Sequence, residues 1–277
     1  MKAFLRRTFE WLIHGVPQKI IYAKITEVVN QDRLSNKNVI VTGGGRGLGF
    51  YIAKKIYLNG GKVLITGRNE DILKKASEQL NNCPYMVFDV QHFDLYDDFF
   101  QNAEHALGGE INCLVNNAGI SLHEKSIFEV TLDTFDVQFN TNIKAPYFLT
   151  KSFLKYTQQK GIELANVVFI TSERGLYGDS IPYGLTKSAI NSLTMGLARR
   201  YITKGIKINA VAPGVTASDM TRISKDGNLF RDNSCGKRVF VPEEVAETVS
   251  FILSDESNCI SGHIIPCNQG NHLRSDY

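Results

Sequence analysis

The stretch YGLTK contains a tyrosine and a lysine, Tyr183 and Lys187, whose types and spacing would suit proton transfer. A free phenol has a pKa near 10, which is too high for efficient proton transfer at neutral pH. Residues four apart are neighbours on a helix, and a unit charge about 4 Å away contributes roughly 4 kcal/mol at an effective dielectric near 20, or about three pKa units. Lys187 could therefore bring the pKa of Tyr183 close to 7. The same spacing is also common where a tyrosine and a lysine merely share one side of a helix.

A glycine-rich turn, TGGGRGLG at residues 42–49, follows the strand-like stretch KNVIV and precedes a helix-like stretch. In such a turn Gly43 would let the chain reverse, Gly47 would let the backbone approach a pyrophosphate, and Gly49 would let helix and strand pack closely. The N–H groups at the helix N-terminus would add a partial positive charge for phosphates. The arrangement predicts dinucleotide binding, with a purely structural turn as the alternative. The predicted binding residues of this turn are Thr42, Gly43, Gly45, Arg46, Gly47, Leu48 and Gly49.

The next strand-like stretch, KVLITGRNE, indicates which dinucleotide would bind. An NAD site presents an acidic residue to the ribose 2′-hydroxyl about 20 residues after the glycine turn. This chain has Gly67 at that place, followed by Arg68, and Arg46 in the turn can reach the same region. Two guanidinium groups could bind a 2′-phosphate through charge-assisted hydrogen bonds, which predicts NADP(H). If both arginines are merely solvated, the site would accept NAD with little discrimination.

Short stretches rich in β-branched residues alternate with longer amphipathic stretches along the chain. Apolar strands bounded by Gly, Asn and Asp are typical of a parallel sheet that is buried on both faces. Right-handed crossovers would place helices over each face, which gives a doubly wound α/β fold. We find no internal repeat and no linker after residue 37, so residues 35–277 are predicted to form one domain. The strand-like stretches are KNVIVTG, GKVLITG, YMVFDV, INCLVNN, ANVVFIT, IKINAVAP and GHIIPC.

Residues 1–34 differ from the rest of the chain. Apolar side chains recur at helical spacing from Phe4 to Val16, with charged side chains on the other side, which is the pattern of an amphipathic helix. We expect this helical extension to pack against the body of the protein or a sister subunit. A basic helix lying on a membrane surface is one alternative, and a frayed tail is the other. A second helix is predicted to begin at Pro17, with an apolar side formed by Ile21, Ile25 and Val28.

Charge and cysteine usage argue against several function classes. The formal charge of +3 is too small to indicate a nucleic-acid partner. The five cysteines are scattered, with no C-x-x-C pair and no histidine cluster at ligand spacing, which predicts a cytoplasmic location and no metal. Charged residues interrupt the apolar positions near the start, and no stretch reaches the roughly 18 apolar residues of a membrane span, so we predict neither a signal peptide nor a span.

Three motifs together resemble the classical short-chain dehydrogenase/reductase family: TG-x-x-x-G-x-G at 42–49, NNAG at 116–119 and Y-x-x-x-K at 183–187. The likeness runs from about residue 37 to about residue 271. The family implies a single-domain Rossmann fold with a seven-stranded parallel sheet and, usually, a homotetramer. The other family motifs, in family order, are Asp89 in FDV, Asn142 in NTNIKAP, Ser172 in ITS and APG at 212–214.

The resemblance implies a role for each of four catalytic residues. Tyr183 would donate a proton to a carbonyl oxygen as hydride arrives from NADPH, and would take it back in the oxidative direction. Ser172 would hydrogen-bond the same oxygen and orient it, with Thr171 as a lesser candidate for this role. Lys187 would also hold the nicotinamide ribose, and Asn142 would anchor a water that relays protons to bulk solvent.

The same resemblance assigns further residues to the cofactor. Two alternatives remain open: Asn116 could be a turn residue at a strand end, and Asp89 could be a helix cap. The assignments are Asp89 and Val90 to the adenine, Asn116, Ala118 and Gly119 to the adenosine ribose, Pro213, Gly214 and Val215 to the nicotinamide, and Ser218 to its carboxamide, where the family often has threonine.

The sequence departs from the family pattern around the predicted site. Ten residues separate Ser172 from Tyr183, which is shorter than is common in the family. Glu173 and Arg174 replace the usual small residues, so charge near the substrate is predicted. CNQG at 267–270 stands where the family signature ends in D-G-G, which puts the usual tetramer packing in doubt.

The segment after the sixth strand, residues 219–240, would select the substrate in this fold. It is basic, which could suit an anionic substrate or an acyl carrier, but a charged and solvated lid is the favoured interpretation. Its basic residues are Arg222, Lys225, Arg231, Lys237 and Arg238.

Together these features predict an NADPH-dependent reductase of ketones or aldehydes, with 3-oxoacyl thioesters as the default substrate. A dehydrogenase or epimerase-like enzyme acting on sugar or polyol hydroxyls is the second hypothesis. A non-catalytic dinucleotide-sensing or membrane-associated scaffold is the third, and the intact set of Asn, Ser, Tyr and Lys argues against it.

Overall fold

The computed structural model of the chain describes residues 19–273, apart from Lys24, Thr26 and the side chain of Asp97. In this part of the chain one parallel sheet has the strand order β3-β2-β1-β4-β5-β6-β7. The predicted single-domain Rossmann fold with a seven-stranded sheet is confirmed. The strands are β1 (Asn38–Thr42), β2 (Lys62–Gly67), β3 (Tyr85–Val87), β4 (Cys113–Asn116), β5 (Ala165–Ile170), β6 (Ile206–Pro213) and β7 (Ile264–Cys267). The helices are α1 (Gly47–Leu58), α2 (Glu70–Gln79), α3 (Tyr96–Leu107), α4 (Leu132–Phe139), α5 (Ala145–Lys160), α6 (Pro182–Tyr201) and α7 (Pro242–Leu253).

The strand order reverses between β1 and β4. The chain starts in the middle of the sheet, builds outward through β2 and β3, and then returns to the other side of β1. Val41 of β1 is in register with Val115 of β4, so Thr42 and Asn116 end the two strands side by side. Ligands of open parallel sheets bind beyond the carboxyl ends of the strands at such a reversal. The glycine turn and the NNAG motif both begin at this place.

Helices cover both faces of the sheet. On one face α1 and α7 contribute Ile52, Ile56 and Val249 to a buried apolar cluster. On the other face α3 and α5 contribute aromatic side chains, among them Phe99 and Phe153, which are at most 2% exposed. Because neither face meets water, the strands are continuous apolar runs, and all six residues of β5 are buried.

Residues 19–34 do not form the predicted second helix. Residues 19–23, 25 and 27–30 form neither helix nor strand, and a turn follows at 31–36. The stretch is rich in Ile, Val and Thr, whose branched side chains lose rotamer freedom in a helix. The helix prediction is therefore wrong for these residues. The helix predicted before Pro17 lies outside the described residues.

Residues 19–30, which we call the N-terminal strap, instead cross the predicted substrate segment. The side-chain amide of Asn228 accepts a hydrogen bond from the N–H of Ile21 and donates one to the carbonyl of Lys19, each at 3.0 Å. The strap also adds apolar contacts, because Ala23 and Ile25 pack on the buried cluster of Ala217, Leu229, Val239 and Val241. The expected packing of this stretch against the body of the protein is therefore present for the described residues.

No helix within the described ranges has the length and apolar character needed to cross a membrane.

Candidate active site

The residues that the sequence singled out meet at the carboxyl edge of the sheet. The glycine turn follows β1, NNAG begins at the last residue of β4, and Pro213 ends β6. Ser172 lies two residues beyond β5, and Tyr183 and Lys187 lie in the first turns of α6. Parallel strands bring their carboxyl ends together, so residues that are far apart in the sequence converge there.

The glycine turn has the conformation and the close contacts of a phosphate-binding loop. Gly43 and Gly47 have φ angles of 65° and 52°, in the left-handed region that favours glycine. A Cβ on Gly49 would lie 2.2 Å from the carbonyl oxygen of Gly43, so only glycine fits at this position. A Cβ on Gly47 would meet only Ser218, at 3.7 Å, so the turn is open on that side.

The N-terminus of α1 faces this opening. Arg46 at the cap position makes no side-chain hydrogen bond to the helix, and the first turn of α1 holds no acidic residue. The first N–H groups of a helix have no partner within the helix, and they carry a partial positive charge. The turn and the helix together therefore fit a pyrophosphate.

Thr42 and Asn117 fix the glycine turn to the end of β4. The hydroxyl of Thr42 accepts hydrogen bonds from the N–H groups of Asn117 and Ala118, each at 3.0 Å. The side-chain amide of Asn117 donates to the carbonyls of Thr42 at 2.9 Å and Gly43 at 3.2 Å. Sequence reasoning missed Asn117. Successive side chains of a strand point in opposite directions, so the pair of asparagines in NNAG was the signal that one would face the turn.

The residues predicted to border the adenosine have side-chain partners within the protein. Asn116 is 6% exposed and donates its amide to the hydroxyl of Thr150 at 3.0 Å, so its side chain points away from the turn. Asp89 accepts a hydrogen bond from the N–H of Gln91 at 3.0 Å. The carbonyl of Val90 accepts one from the hydroxyl of Tyr96. The adenine and ribose contacts of these residues stay predictions.

Arg46 and Arg68 lie on the same side of the glycine turn. Thr42 is in register with Thr66, and the N–H of Gly44 donates to the carbonyl of Thr66 at 3.1 Å, so Arg68 follows directly beside the turn. Both arginines are exposed, and Arg46 lies 3.9 Å from the carboxylate of Asp219 with both side chains mostly in solvent. A pair this exposed contributes little energy, so both guanidinium groups could turn toward a 2′-phosphate.

The predicted nicotinamide contacts lie between β6 and the substrate segment. The N–H of Gly214 donates to the carbonyl of Cys267 at 3.0 Å. A Cβ on Gly214 would lie 2.9 Å from the ring of Phe240 and 3.2 Å from the carboxylate of Glu173, so this position has room only for glycine. Val215 continues into the segment, and the N–H of Ser218 donates to the hydroxyl of Thr221 at 3.1 Å.

Ser172, Tyr183 and Lys187 form the centre of the candidate site. The hydroxyl of Ser172 lies near enough to Tyr183 to act on its pKa, and the amino group of Lys187 lies 5.6 Å from the centre of the Tyr183 ring. Lys187 is 6% exposed and donates to the carbonyl of Ile170 at 2.9 Å. The two side chains therefore lie on the same side of α6, as the four-residue spacing predicted.

Burial sets the protonation of both groups. It raises the pKa of Tyr183, although the nearby hydroxyl of Ser172 and the positive charge of Arg174 act in the opposite direction. Burial lowers the pKa of Lys187 to about 8. The lowering of the Tyr183 pKa that the spacing predicted is therefore outweighed by burial, and the cation that opposes this rise is Arg174.

Asn142 lies in a π-helical turn, Asn140–Lys144, between α4 and α5. Its side chain pairs with the backbone of Ile120, accepting from the N–H and donating to the carbonyl, both at 2.9 Å. It also donates to the hydroxyl of Thr186 at 3.2 Å, one residue before Lys187. Such turns often mark functional sites, and this one connects the NNAG loop to α6 through the hydrogen bonds of Asn142.

Arg174 and Asp179 close the short loop between Ser172 and Tyr183. Two parallel hydrogen bonds of 2.6 and 2.8 Å connect the guanidinium to the carboxylate, and Asp179 also accepts from the N–H of Ile181 at 3.0 Å. A Cβ on Gly184 would lie 1.9 Å from the Asp179 carboxylate. The sequence drew attention to Arg174 but gave no sign of its partner, because the contact depends on how the loop folds back.

Glu173 and Thr171 form hydrogen bonds with partners other than Tyr183. Glu173 is 7% exposed, and one of its oxygens accepts hydrogen bonds from the side-chain amides of Asn268 and Asn271, both at 3.1 Å. Two departures from the family pattern, the acid after Ser172 and the asparagine in CNQG, therefore contact each other. Thr171 is buried and donates to the carbonyl of Val211 at 3.3 Å.

Most of the positive charge on the substrate segment is neutralised within the protein. Lys225 lies 2.5 Å from Glu243, and Lys237 lies 3.2 Å from Asp232. Arg238 makes two hydrogen bonds to Glu244, at 2.8 and 2.5 Å. Arg222 and Arg231 have no ion-pair partner among the described residues.

Among the described residues, no group of histidine, cysteine, aspartate or glutamate side chains could hold a metal ion.

Comparison with known proteins supports the assignment that the motifs and the geometry suggest. The family model described as enoyl-(acyl carrier protein) reductase matches residues 43–272. A 3alpha-hydroxysteroid dehydrogenase of Mediterraneibacter gnavus is 32% identical over 84% of this chain and 95% of its own length. A 3-oxoacyl-[acyl-carrier-protein] reductase of Chlamydia muridarum is 30% identical over 86% of this chain and 98% of its own. The solved structure of ElxO with NADP bound has a TM-score of 0.78 at 31% identity, over 86% of this chain and 99% of that chain. The chain belongs to the short-chain dehydrogenase/reductase family and is an oxidoreductase of its classical type.

Proposed function

We propose that the protein is an NADP-dependent oxidoreductase that reduces a ketone or aldehyde to an alcohol, reversibly. The observation that carries this proposal is the proximity of Ser172, Tyr183 and Lys187, with the amino group of Lys187 5.6 Å from the centre of the Tyr183 ring. These groups lie at the sheet edge beside an uncapped helix N-terminus. When bound there, NADPH would supply the hydride.

The side chains of this site divide the remaining work. Ser172 donates a hydrogen bond to the substrate carbonyl oxygen and orients it. Tyr183 transfers its phenolic proton to that oxygen as the carbonyl carbon is reduced, and the product is an alcohol. The ammonium of Lys187 stabilises the phenolate that remains. Asn142, which is anchored on Ile120, positions the route by which the proton is replaced from solvent.

Arg46 and Arg68 support a preference for NADP(H) over NAD(H). Two exposed guanidinium groups beside the glycine turn favour a ligand with an additional phosphate, and no acidic residue follows β2 directly. We expect kcat/KM to be higher for NADPH than for NADH. The variants Arg46→Ala and Arg68→Ala should reduce kcat/KM for NADPH at least tenfold and leave that for NADH unchanged. A wild-type preference for NADH would contradict the cofactor assignment but not the reaction class.

The substrate can be identified by measuring the oxidation of NADPH in the presence of candidate compounds. 3-Oxoacyl thioesters are the default candidates, and sugars and polyols, assayed in the oxidative direction, are the alternative. NADPH binding without turnover on a panel of thioesters, sugars, steroids and small ketones would instead favour a dinucleotide sensor.

The long helices support a homo-oligomer. Apolar side chains that are 37–52% exposed lie on α4, α5 and α6, and association would remove them from water. These side chains are Phe135, Tyr147, Phe148, Leu185 and Met195. Light scattering coupled to size-exclusion chromatography should give a dimer or tetramer, and a monomer at micromolar concentration would contradict this expectation.

Membrane contact through residues 1–34 and a cytoplasmic location stay predictions. Co-sedimentation of the intact chain with anionic liposomes, compared with a chain that lacks residues 1–18, tests the first. Equal pelleting of the two would exclude a membrane role for that stretch.

A further inference from the structure

A small cavity of about 180 Å³ lies next to the candidate site, between the residue after Ser172 and the substrate segment. Its lining includes Glu173 and Tyr177 from the loop after Ser172, and Arg231 and Arg238 from the substrate segment. Val215, which is predicted to border the nicotinamide, also lines it. Ser172 and Tyr183 do not line the cavity, but Glu173 follows Ser172 in the sequence, so a ligand here would lie beside the predicted nicotinamide position.

The lining of the cavity is polar. Of its nine lining residues, only Val215 and Phe240 have aliphatic or hydrocarbon aromatic side chains. Pockets for drug-sized apolar ligands are larger, about 300–1,000 Å³, and are lined mainly by apolar groups. Neither the volume nor the lining suits a steroid or a long acyl chain.

Arg231 is the cation that the cavity offers to a ligand. Arg238 also lines the cavity, but its guanidinium is occupied by both oxygens of Glu244. Arg231 is held through its backbone N–H, which donates to the carbonyl of Lys237 at 2.9 Å. No acidic side chain among the described residues lies within ion-pair distance of its guanidinium. A carboxylate is the small group that matches a guanidinium with two parallel hydrogen bonds.

Glu173 also lines the cavity, and its side chain is a hydrogen-bond acceptor. Its carboxylate is 7% exposed and has amide partners, Asn268 and Asn271, but no cation within ion-pair distance among the described residues. Both of these hydrogen bonds go to one carboxylate oxygen of Glu173, Oε2. A carboxylate can only accept hydrogen bonds, so a group that binds Glu173 has to donate one. Its ligand must therefore bring a donor, which a hydroxyl group provides.

We propose that this cavity binds a short oxo acid that carries hydroxyl groups, with the carboxylate on Arg231 and a hydroxyl on Glu173. The inference rests on the proposed function, because the carbonyl of the ligand is the group to be reduced. It replaces the default substrate, a 3-oxoacyl thioester. An acyl carrier would need a free basic surface, yet Lys225, Lys237 and Arg238 are already paired.

Four ketones that carry different combinations of these groups test the proposal on the wild-type protein. 5-Oxogluconate has the carboxylate and the hydroxyls, levulinate lacks the hydroxyls, fructose lacks the carboxylate, and an acetoacetyl pantetheine thioester represents the acyl substrates. We expect kcat/KM for NADPH oxidation to be at least tenfold higher with 5-oxogluconate than with any of the others. A higher value with the thioester, fructose or levulinate would overturn the inference and leave the proposed function intact. Oxidation of NADPH with none of the four would overturn the inference, and the proposed function falls with it only if the wider panel of thioesters, sugars, steroids and small ketones is also inert with both NADPH and NADH.

Variants of Arg231 and Glu173 then test which group of the ligand each residue binds. Arg231→Gln should raise KM for 5-oxogluconate at least tenfold and leave KM for fructose unchanged. Glu173→Gln should raise KM for 5-oxogluconate and leave KM for levulinate unchanged. Arg222→Gln is the matched control on the same segment, because Arg222 is exposed and does not line the cavity. NADPH affinity measured by fluorescence shows that each variant is folded. Equal effects of Arg231→Gln and Arg222→Gln would mean that only general charge is involved, which overturns the carboxylate site.

Discussion

Different forces stabilise the two sides of the candidate active site, which we call the cofactor edge and the substrate edge. On the cofactor edge, residues 42–49 and 116–119, the chain is held by glycines in close contact and by hydrogen bonds between Thr42 and Asn117. On the substrate edge, residues 172–183 and 214–240, it is held by ion pairs. These pairs are Arg174–Asp179, Lys225–Glu243, Lys237–Asp232 and Arg238–Glu244.

The difference indicates what each edge can tolerate. A glycine whose Cβ position is filled by backbone atoms cannot be replaced without moving the turn, so the cofactor edge is fixed sterically. An ion pair can be exchanged one partner at a time, and its strength depends on salt and pH. Substitutions of the glycines on the cofactor edge should therefore weaken NADPH binding by a factor that does not depend on salt. Substitutions on the substrate edge should act on turnover or KM and should respond to ionic conditions.

Tyr183→Phe should lower kcat without weakening NADPH binding, which distinguishes the two edges most clearly. Removing the phenol removes the proton donor, so kcat should fall by roughly 10²–10⁴-fold. NADPH affinity, measured by fluorescence titration, should stay within twofold, because the glycine turn is unchanged. Tyr201→Phe, at the other end of α6, is the control and should keep full activity. Substantial turnover by the Tyr183 variant would mean that the proton comes from another group.

Lys187→Met should make the protein inactive but more stable at neutral pH. The pKa of Lys187 is about 8 in the folded protein, below its ordinary value of 10.5, so the charged form is disfavoured by folding. Below pH 8 this costs about 3 kcal/mol, partly offset by about 1 kcal/mol from its hydrogen bond to Ile170. The cost fades as the pH rises from 8 to 10.5 and is absent above that range.

Urea unfolding of both proteins at several pH values measures this difference. The stability advantage of Lys187→Met should be about 2 kcal/mol at pH 7 and should shrink or reverse above pH 10.5. A variant that is less stable than the wild type at pH 7 would contradict the assignment of a buried ammonium that is present for catalysis.

Gly49→Ala tests the steric character of the cofactor edge. The added Cβ would lie 2.2 Å from the carbonyl of Gly43, so the turn must shift, at a cost of about 1–3 kcal/mol in unfolding free energy. NADPH affinity should fall at least tenfold, equally at low and high salt. Gly196→Ala is the matched control, because a Cβ there meets nothing within 4 Å. It should stabilise α6 by about 0.5–1 kcal/mol. Normal NADPH binding by the Gly49 variant would contradict a sterically fixed edge.

The cofactor edge and the pair Tyr183 and Lys187 were predictable because their signals are local in the sequence. Gly43, Gly47 and Gly49 lie within one turn, and Tyr183 and Lys187 within one turn of a helix, so spacing alone determines their neighbours. The doubly wound sheet followed from the alternation of apolar strands and amphipathic helices in the same way.

The substrate edge was not predictable in this sense. Glu173 contacts Asn268 and Asn271, which lie almost a hundred residues later, and Arg174 finds Asp179 only because the loop folds back. The helix prediction for the N-terminal strap was wrong for a related reason. Ile21 and Ile25 have helical spacing, but packing of Ile25 on the substrate segment decides the conformation. Spacing identifies candidate residues, and tertiary contacts between distant segments select their partners.

Asp179→Asn tests the ionic character of the substrate edge. The substitution keeps the size of the side chain and an acceptor for the N–H of Ile181, but it leaves Arg174 without its charged partner. Because Asp179 is 6% exposed and Arg174 is 35% exposed, we expect a loss of about 1–2 kcal/mol in unfolding free energy. The kcat should fall several-fold, since the loop that contains Ser172 and leads to Tyr183 is loosened.

Urea unfolding of Asp179→Asn and of a control variant, Asp232→Asn, at several salt concentrations shows whether this loss is electrostatic. Asp232→Asn removes the acid from another pair on the same edge, but its partner Lys237 is 52% exposed and Asp232 itself is 78% exposed. An exposed pair is worth little, so this variant should lose at most about 0.5 kcal/mol. The difference between the two variants should narrow as the salt concentration rises from 0.05 to about 1 M, where the screening length shortens to about 3 Å. A difference that does not depend on salt would mean that Asp179 acts through shape, as Gly49 does, and that the two edges are held by the same kind of contact.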